Sequence, residues 1–363
     1  MKKSLIALAV LASAGVASAQ SSVTLFGIVD ASITYGSGSG AGSSKKTQLA
    51  SGAYNTSRIG FRGTEDLGGG MSASFWLEGT LFTDNGTAFP SNTNNQASGT
   101  TAAAVNGTQG LTFNRRSTVS LGGGWGEVRL GRDINPQYWN LSVFDPFGTV
   151  GVGVNLVHVG HIGAYPGGVA GVGVRSSNSI GYFLPGNLGG FYGQGMYYLG
   201  ENNRAGLASD KDGDGAGLRV GYANGPANVA LAYSRTRFAT GDVKSTNLGG
   251  QWDFGVARAM GIVSQDRVSR GATTKGYLVG ALMPVGAGEI RVAYSETKIN
   301  LVGNPKSRKI ALGYVHNLSK RTAVYATYAR LRNSGGAAQA LGGAITSANG
   351  NSNGFDFGVR HSF

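Results

Sequence analysis

Apolar and polar positions alternate residue by residue through most of the chain. In "SSVTLFGIVDASITY", Val23, Leu25, Val29, Ile33 and Tyr35 fall on one face, while Thr24, Asp30, Ser32 and Thr34 fall on the other. A period of two predicts β-strands, whose successive side chains point to opposite faces. In "SRIGFRGTED", Ile59 and Phe61 oppose Arg58, Gly60 and Arg62, and in "MSASFWLEG", Phe75 and Leu77 oppose Ser74, Trp76 and Glu78. About sixteen such runs succeed one another, with no sustained helical heptad among them.

Two kinds of connection separate the runs. Tight ones, such as "DLGGG" at 66–70, "GGGWGE" at 122–127, "ANGPAN" at 223–228 and "PVGAGE" at 284–289, carry hairpin-turn chemistry. Long, polar, glycine-rich ones occupy 36–53, 84–111, 133–173, 200–213 and 332–353. Short turns alternating with long loops are the rhythm of a transmembrane β-barrel, with one kind at each rim. The expected fold class is all-β: a 16-stranded antiparallel transmembrane β-barrel. A soluble sandwich of this many strands would divide into domains with linkers, and none is visible. In lipid every backbone N–H and C=O must be paired within the protein, which favours closure. Closure inverts the patterning, so that apolar residues face outward and polar ones line the lumen. Tyr35, Trp76, Tyr182, Tyr197, Tyr222 and Tyr314 then become candidates for interfacial girdles. In "GVARAMGIVSQ" Arg258 shares a face with Met260 and Ile262, which predicts a position beside a turn, away from the hydrocarbon midplane.

Composition sharpens the picture. Of 363 residues only 13% are charged, 63 are Gly and none is Cys. The fold must therefore hold by packing and backbone hydrogen bonds, without disulfides or thiolate metal sites. Residues 1–19, with Lys2 and Lys3, an apolar run from Leu5 to Val16 and the small-residue site Ala17-Ser18-Ala19, read as a signal peptide, leaving 20–363 as the barrel domain. That run is too short for a spanning helix. Lys and Arg exceed Asp and Glu by 31 to 18, a basic balance that draws anions. Export argues against nucleic acid as the natural partner.

Candidate chemistry is sparse. "DKDGDG", Asp210 to Gly215, opens like a calcium loop but has Gly221 where a bidentate Glu belongs, so a solvated acidic loop is favoured. His158 and His161 stand three apart without a matching carboxylate, which is weak support for a metal. His316 and His361 share the phase of Ile310, Leu312 and Tyr314 and of Phe357, Val359 and Phe363, pointing away from any hydrolytic site. No metal, cofactor or catalytic residue is expected, and the chain is not read as an enzyme. More telling are Arg58, Arg62, Arg129, Arg175 and Glu78, all in the polar phase of their strands; Arg115 is harder to phase within "FNRRSTV". Arginines turned into a shared lumen create a field that bulk salt cannot fully screen, because the Debye length at 0.1 M is about 10 Å.

"SSVTLFGIVDASITY", "SRIGFRGTEDLGGG", "ASFWLEG", "FNRRSTVSLGG", "GEVRLGRDINPQYW", "FDPFGT", "RSSNSIGY" and the closing "GVRHSF" together resemble the general porins of Gram-negative outer membranes, in particular the proteobacterial branch with cationic lumens. The resemblance spans essentially all of residues 20–363. It implies an outer-membrane homotrimer of sixteen-stranded barrels whose third loop, here about Asp133 to Val174, folds inward. It places a basic constriction cluster on Arg58, Arg62, Arg115 and Arg175, facing an acidic pair on Glu78 and Asp145; Arg129, from its polar phase, is read as a further lumen charge. The Glu that many members carry after Pro146 is missing, so the acidic side is weaker and the pore is expected to favour anions. The function implied is passive diffusion of small hydrophilic, anionic solutes. The alternative is a substrate-specific channel for organic anions or sugars, with Trp76, Trp139 and Phe144 as possible lumen aromatics.

In "FDFGVRHSF", Phe355, Phe357, Val359, His361 and Phe363 share one phase. The final strand must pair with the first to close the cylinder, so Phe363 is expected at the seam. The resemblance adds that this terminal aromatic strand is read by the outer-membrane assembly machinery.

Overall fold

The computed structural model describes residues 22–91, 95, 110–161, 173–269 and 271–363. The proposed signal peptide lies outside them. The first half comprises β1 (Ser22–Gly38), β2 (Lys45–Ser51), β3 (Arg58–Gly68), β4 (Met71–Thr80), β5 (Arg116–Gly123) and β6 (Gly126–Ile134). Helices α1 (Pro136–Val143) and α2 (Leu156–His161) follow, then β7 (Arg175–Phe183), β8 (Phe191–Tyr198), β9 (Gly215–Asn224) and β10 (Ala227–Thr236). The remainder is β11 (Val243–Asp253), β12 (Arg258–Val268), β13 (Thr273–Val285), β14 (Gly288–Ile299), β15 (Lys306–Asn317), β16 (Thr322–Ser334) and β17 (Asn351–Ser362).

From β3 onward each strand pairs antiparallel with the next in the chain, and β17 returns to pair with β1 from Ile28↔Ser362 to Gly38↔Ser352. The seventeen segments make sixteen barrel strands. The lower half of β1 pairs with β3 and its upper half with β2, so β2 and β3 are two pieces of one strand interrupted at residues 52–57. Composition places 36–53 wholly in a loop; the structure corrects this, since β1 runs on to Gly38 and β2 occupies Lys45–Ser51. The interruption is anchored by Asp30, whose carboxylate accepts the N–H groups of Tyr54 (2.9 Å) and Asn55 (2.6 Å) and the hydroxyl of Tyr325.

Burial along β1 is inverted relative to a soluble protein. Val23, Leu25 and Ile33 are 66%, 52% and 56% exposed, whereas Asp30, Ser32 and Thr34 are at most 4% exposed. The same alternation recurs in β10, β15 and β17. An apolar outside and a polar inside define a wall meant for hydrocarbon. Of the girdle candidates, Tyr182, Tyr197 and Tyr314 are exposed on this outer face. Trp76 departs from expectation: its indole donates to the inward carboxylate of Glu78 (3.0 Å), so it faces the lumen. Arg258 opens β12 beside the tight turn, paired with Asp253 at 3.2 Å.

Residues 135–161, which follow β6, cross the interior to the opposite wall. Leu141, Phe144, Phe147, Val152, Leu156 and Val157 pack on inward residues of β10 to β16, among them Ala230, Ile262, Leu278, Ala293 and Ala311. The hydrophobic core thus lies inside the barrel, behind this loop. Glycine permits the closest approach: a Cβ on Gly249 would sit 2.2 Å from Phe144 Cδ2. Polar contacts fix the loop's register. Asn140 donates to Ala230 O (2.9 Å), Leu156 N to Ser295 Oγ (3.1 Å) and Val152 N to Asp356 Oδ2 (2.7 Å). Lys309, 2% exposed, donates from Nζ to the carbonyls of Val152 (3.0 Å) and Val154.

Candidate functional site

Crossing to the far wall leaves open space between the loop and strands β1 to β7. A cavity of about 790 Å³ lies there. Its wall side carries Arg58, Glu78, Arg115 and Arg175, together with Trp76 and Asn114. Local structure explains the gathering. Arg58 begins β3, Glu78 lies near the upper end of β4, Arg115 immediately precedes β5, and Arg175 opens β7, so all four sit at one level. Glu78 is the acceptor around which they assemble. It takes a hydrogen bond from Arg115 Nε and one from Trp76 Nε1 (3.0 Å), and Arg58 Nε lies 3.7 Å away. Arg175 Nε is buried, with no hydrogen-bond partner among the described residues.

The loop side of the cavity is formed by Tyr138, Trp139, Ser142, Gly148, Thr149, Val150 and His158, none of them acidic. Three arginines against one glutamate leave a side-chain excess of two positive charges in the lining, with His neutral. Tyr138 braces the loop tip by a hydroxyl contact with Thr149 (2.9 Å) and lies beside His158, their ring centroids 5.4 Å apart. The side chain of His161 lies outside the described residues.

Asp145, expected across from the arginines, is placed otherwise. It is 5% exposed and accepts Phe147 N (3.0 Å), Thr149 N (3.0 Å) and Asn155 Nδ2 (2.6 Å), so its carboxylate shapes the loop from within and is absent from the cavity lining. Burial pushes its pKa up, against the pull of those donors. The reason is local: an Asp before Pro146 and Gly148 is the natural acceptor for the N–H groups of the turn it begins. Arg62 also stands apart from the cavity. Four residues along an extended strand from Arg58 place it well toward the tight-turn rim, its guanidinium 5.2 Å from the Trp76 ring centroid and 5.3 Å from that of Phe26.

Below the cavity Arg129 pairs with Glu127 (2.7 Å) and Asp133 (3.1 Å) and lies 3.8 Å from the Phe183 ring centroid. Arg116 stacks on Trp76 at 4.8 Å and shares with Arg115, Arg129 and Arg175 a side pocket of about 350 Å³. Phe363 closes the seam, exchanging backbone hydrogen bonds with Gly27 at 3.0 and 3.1 Å. Phe144 is fully buried and is absent from the lining of this cavity, whereas Trp76 and Trp139 belong to it.

Sequence reasoning misses Lys309 and Asp356, which hold the loop, and Arg116. Lys309 alternates with Ile310 in "RKIALGY" and Asp356 with Phe355 and Phe357, so the polar phase of both strands carries the signal. The acidic run contributes caps: Asp214 Oδ1 accepts Gly200 N (2.9 Å), Asp212 Oδ1 accepts Ala239 N (2.6 Å) and Asp210 Oδ2 accepts Gly206 N (2.7 Å).

A closed antiparallel barrel with an apolar outer wall, a charged lumen and a loop narrowing it from within is a β-barrel membrane channel. Comparison with known proteins places it more closely. The model of the Gram-negative porin family matches residues 4–336. The chain is 41% identical to outer membrane porin protein 32 of Delftia acidovorans over the full length of both. It is 29% identical to an outer membrane porin protein of Bordetella pertussis, covering 90% of this chain and 93% of that one. Among solved structures, the anion-selective porin from Comamonas acidovorans superposes with a TM-score of 0.81 at 36% identity, covering 95% of this chain and all of that one. The chain belongs to the Gram-negative porin family, and is a passive channel of the outer membrane.

Proposed function

We propose that this porin admits small hydrophilic solutes with a preference for anions, and that Arg58, Arg115 and Arg175 set the preference. The observation that carries the reading is the cavity lining: three arginines, a single carboxylate already held by two of them, and an opposing loop face without acid. Two net charges about 8 Å from a permeating ion contribute roughly 1 kcal/mol at the dielectric of water, enriching anions about fivefold and depleting cations equally. Salt screening reduces this, and the low-dielectric wall raises it. Arg62 and Arg129 extend the basic surface toward the tight-turn rim; Asp145 acts on the pore through the shape of the loop. The anion-selective relative supports the same direction.

The assembled unit is proposed to be a homotrimer, produced after cleavage near Ala19, with Phe363 recognised by the assembly machinery. The reversal potential across a planar bilayer in a KCl gradient tests the selectivity: a potential of the sign set by chloride supports it, and one set by potassium overturns it. Saturable block by a single solute class would instead favour the substrate-specific alternative, for which Trp76 and Trp139 offer lumen aromatics.

A further inference from the structure

The break between β2 and β3 holds more chain than the sheet can accommodate. β2 ends with Ser51 opposite Ala31 and β3 begins with Arg58 opposite Ile28, so the six residues 52–57 face only Val29 and Asp30 on β1. The surplus has to leave the wall. Turned outward, it would carry unpaired N–H and C=O groups into hydrocarbon, and it turns into the lumen. Gly52, at a φ of +77°, starts the turn and donates its N–H to Asp30 O (2.9 Å). Ser51 Oγ donates to Ser57 Oγ at 3.1 Å, closing the neck.

Inside the barrel the segment is pinned through Tyr54. Ala53 and Tyr54 pack on Val315, Ala323 and Tyr325, inward residues of β15 and β16. Arg291 lies 4.4 Å from the Tyr54 ring centroid and donates to its hydroxyl (3.0 Å), while Arg360 approaches the same centroid at 5.7 Å. The segment also meets the tip of the internal loop. A Cβ on Gly151 would fall 2.3 Å from Ala53 O, so glycine is what permits the contact. On one side of that contact Asn55 and Thr56 line the arginine cavity together with Thr149 and Val150. On the other, Gly52 and Ala53 line a second cavity of about 400 Å³, half the size of the first, whose charged side chains, Lys309 and Asp356, balance.

We propose that residues 52–57 are a second constriction element, which seals the space between the loop tip and the wall so that solutes pass only on the arginine side, and that Tyr54 is its positioning residue. Without the segment the two cavities join into one wider opening. The segment sets the size limit and the arginines set the charge preference, so the two are separable. Neutral sugars sense the first and not the second, and the inference rests on the passive channel while being independent of the anion preference.

The test measures single-channel conductance in planar bilayers and the swelling of proteoliposomes in neutral malto-oligosaccharides of increasing length. Deleting Ala53 to Thr56 leaves Gly52 and Ser57 opposite Asp30 and Val29, which restores one-to-one register in the wall. This variant should conduct more than the native chain by roughly half, in proportion to the added space, and admit oligosaccharides at least one glucose unit longer. Tyr54→Ala should shift both quantities the same way, and Tyr54→Phe, which keeps the ring between the two guanidinium groups, should lie much closer to the native chain. Thr56→Phe, on the arginine side, should lower conductance and shorten the longest sugar admitted. Heat-modifiable migration establishes that each variant is assembled; a merely structural role would reduce the yield of assembled protein and leave the size limit where it is. A native size limit and conductance in the assembled deletion variant would overturn the proposal, as would native values in both Tyr54→Ala and Thr56→Phe if the deletion variant does not assemble.

Discussion

Replacing Lys309 with Met isolates the force that holds the internal loop against the wall. Met has nearly the length and volume of the Lys stem, so the substitution removes the ammonium without opening a cavity. What is lost is the donor to Val152 O at 3.0 Å and to Val154 O. A charge-assisted hydrogen bond contributes about 1.5 to 3 kcal/mol, and a buried carbonyl left without a donor costs about as much as its desolvation. Part is recovered, because a buried ammonium is itself expensive to desolvate. Asp356 still holds Val152 N at 2.7 Å and is itself held by Thr34 Oγ1 at 2.7 Å, so half of the attachment survives. A net loss of about 3 kcal/mol follows, which raises the population of detached loop by about two orders of magnitude. Barrel closure does not pass through Lys309, so heat-modifiable migration on gels should be unchanged. Single-channel recordings should show far more frequent brief closures, and limited proteolysis should cut within residues 144–155 faster. Closure frequency and proteolysis indistinguishable from those of the native chain would refute the reasoning.

Glu78→Gln removes the only acidic side chain in the cavity lining and should raise the anion to cation permeability ratio about sixfold, one unit charge about 8 Å away contributing roughly 0.5 kcal/mol of opposite sign to the two ions in water; bilayer reversal potentials report it, and a fall in the ratio would be inconsistent with the charge count. Gly249→Ala places a methyl 2.2 Å from Phe144 Cδ2 and should displace the loop at a cost of about 1 to 3 kcal/mol, visible as altered conductance with the barrel intact. Deleting Phe363 removes the Gly27 backbone pair and opens the seam in lipid, so the amount of assembled, heat-modifiable protein should fall while the selectivity of any surviving channels is unchanged.

The wall of this protein was legible because the two faces of each strand meet different solvents. Val23, Leu25 and Ile33 could be assigned outward and Asp30, Ser32 and Thr34 inward from alternation alone, and their exposures agree. The break at residues 52–57 was not legible, since it is set by Asp30 and Tyr325, the latter some 295 residues away in sequence. Phase found Arg58, Glu78 and Arg175, but Arg115 lies just before β5, where strand alternation no longer applies. Asp145 shows the opposite limit. A charge in a loop has no phase, and whether it faces the pore or caps its own turn depends on local N–H groups that periodicity does not register. Trp76 was visible in the polar phase of β4, yet girdle chemistry suggested the outer face; its indole N–H, bonded to Glu78, explains the inward position.

The central claim is that three arginines outweigh one glutamate at the narrow part of the lumen. It is tested most directly by the reversal potential of the native channel and of the Arg58→Gln, Arg115→Gln, Arg175→Gln triple variant in the same KCl gradient. The native chain should pass chloride over potassium, by a ratio on the order of ten. The triple variant leaves Glu78 as the sole charged side chain in the cavity lining, with His neutral, and its potential should change sign. An unchanged, chloride-selective potential in the triple variant would contradict the account.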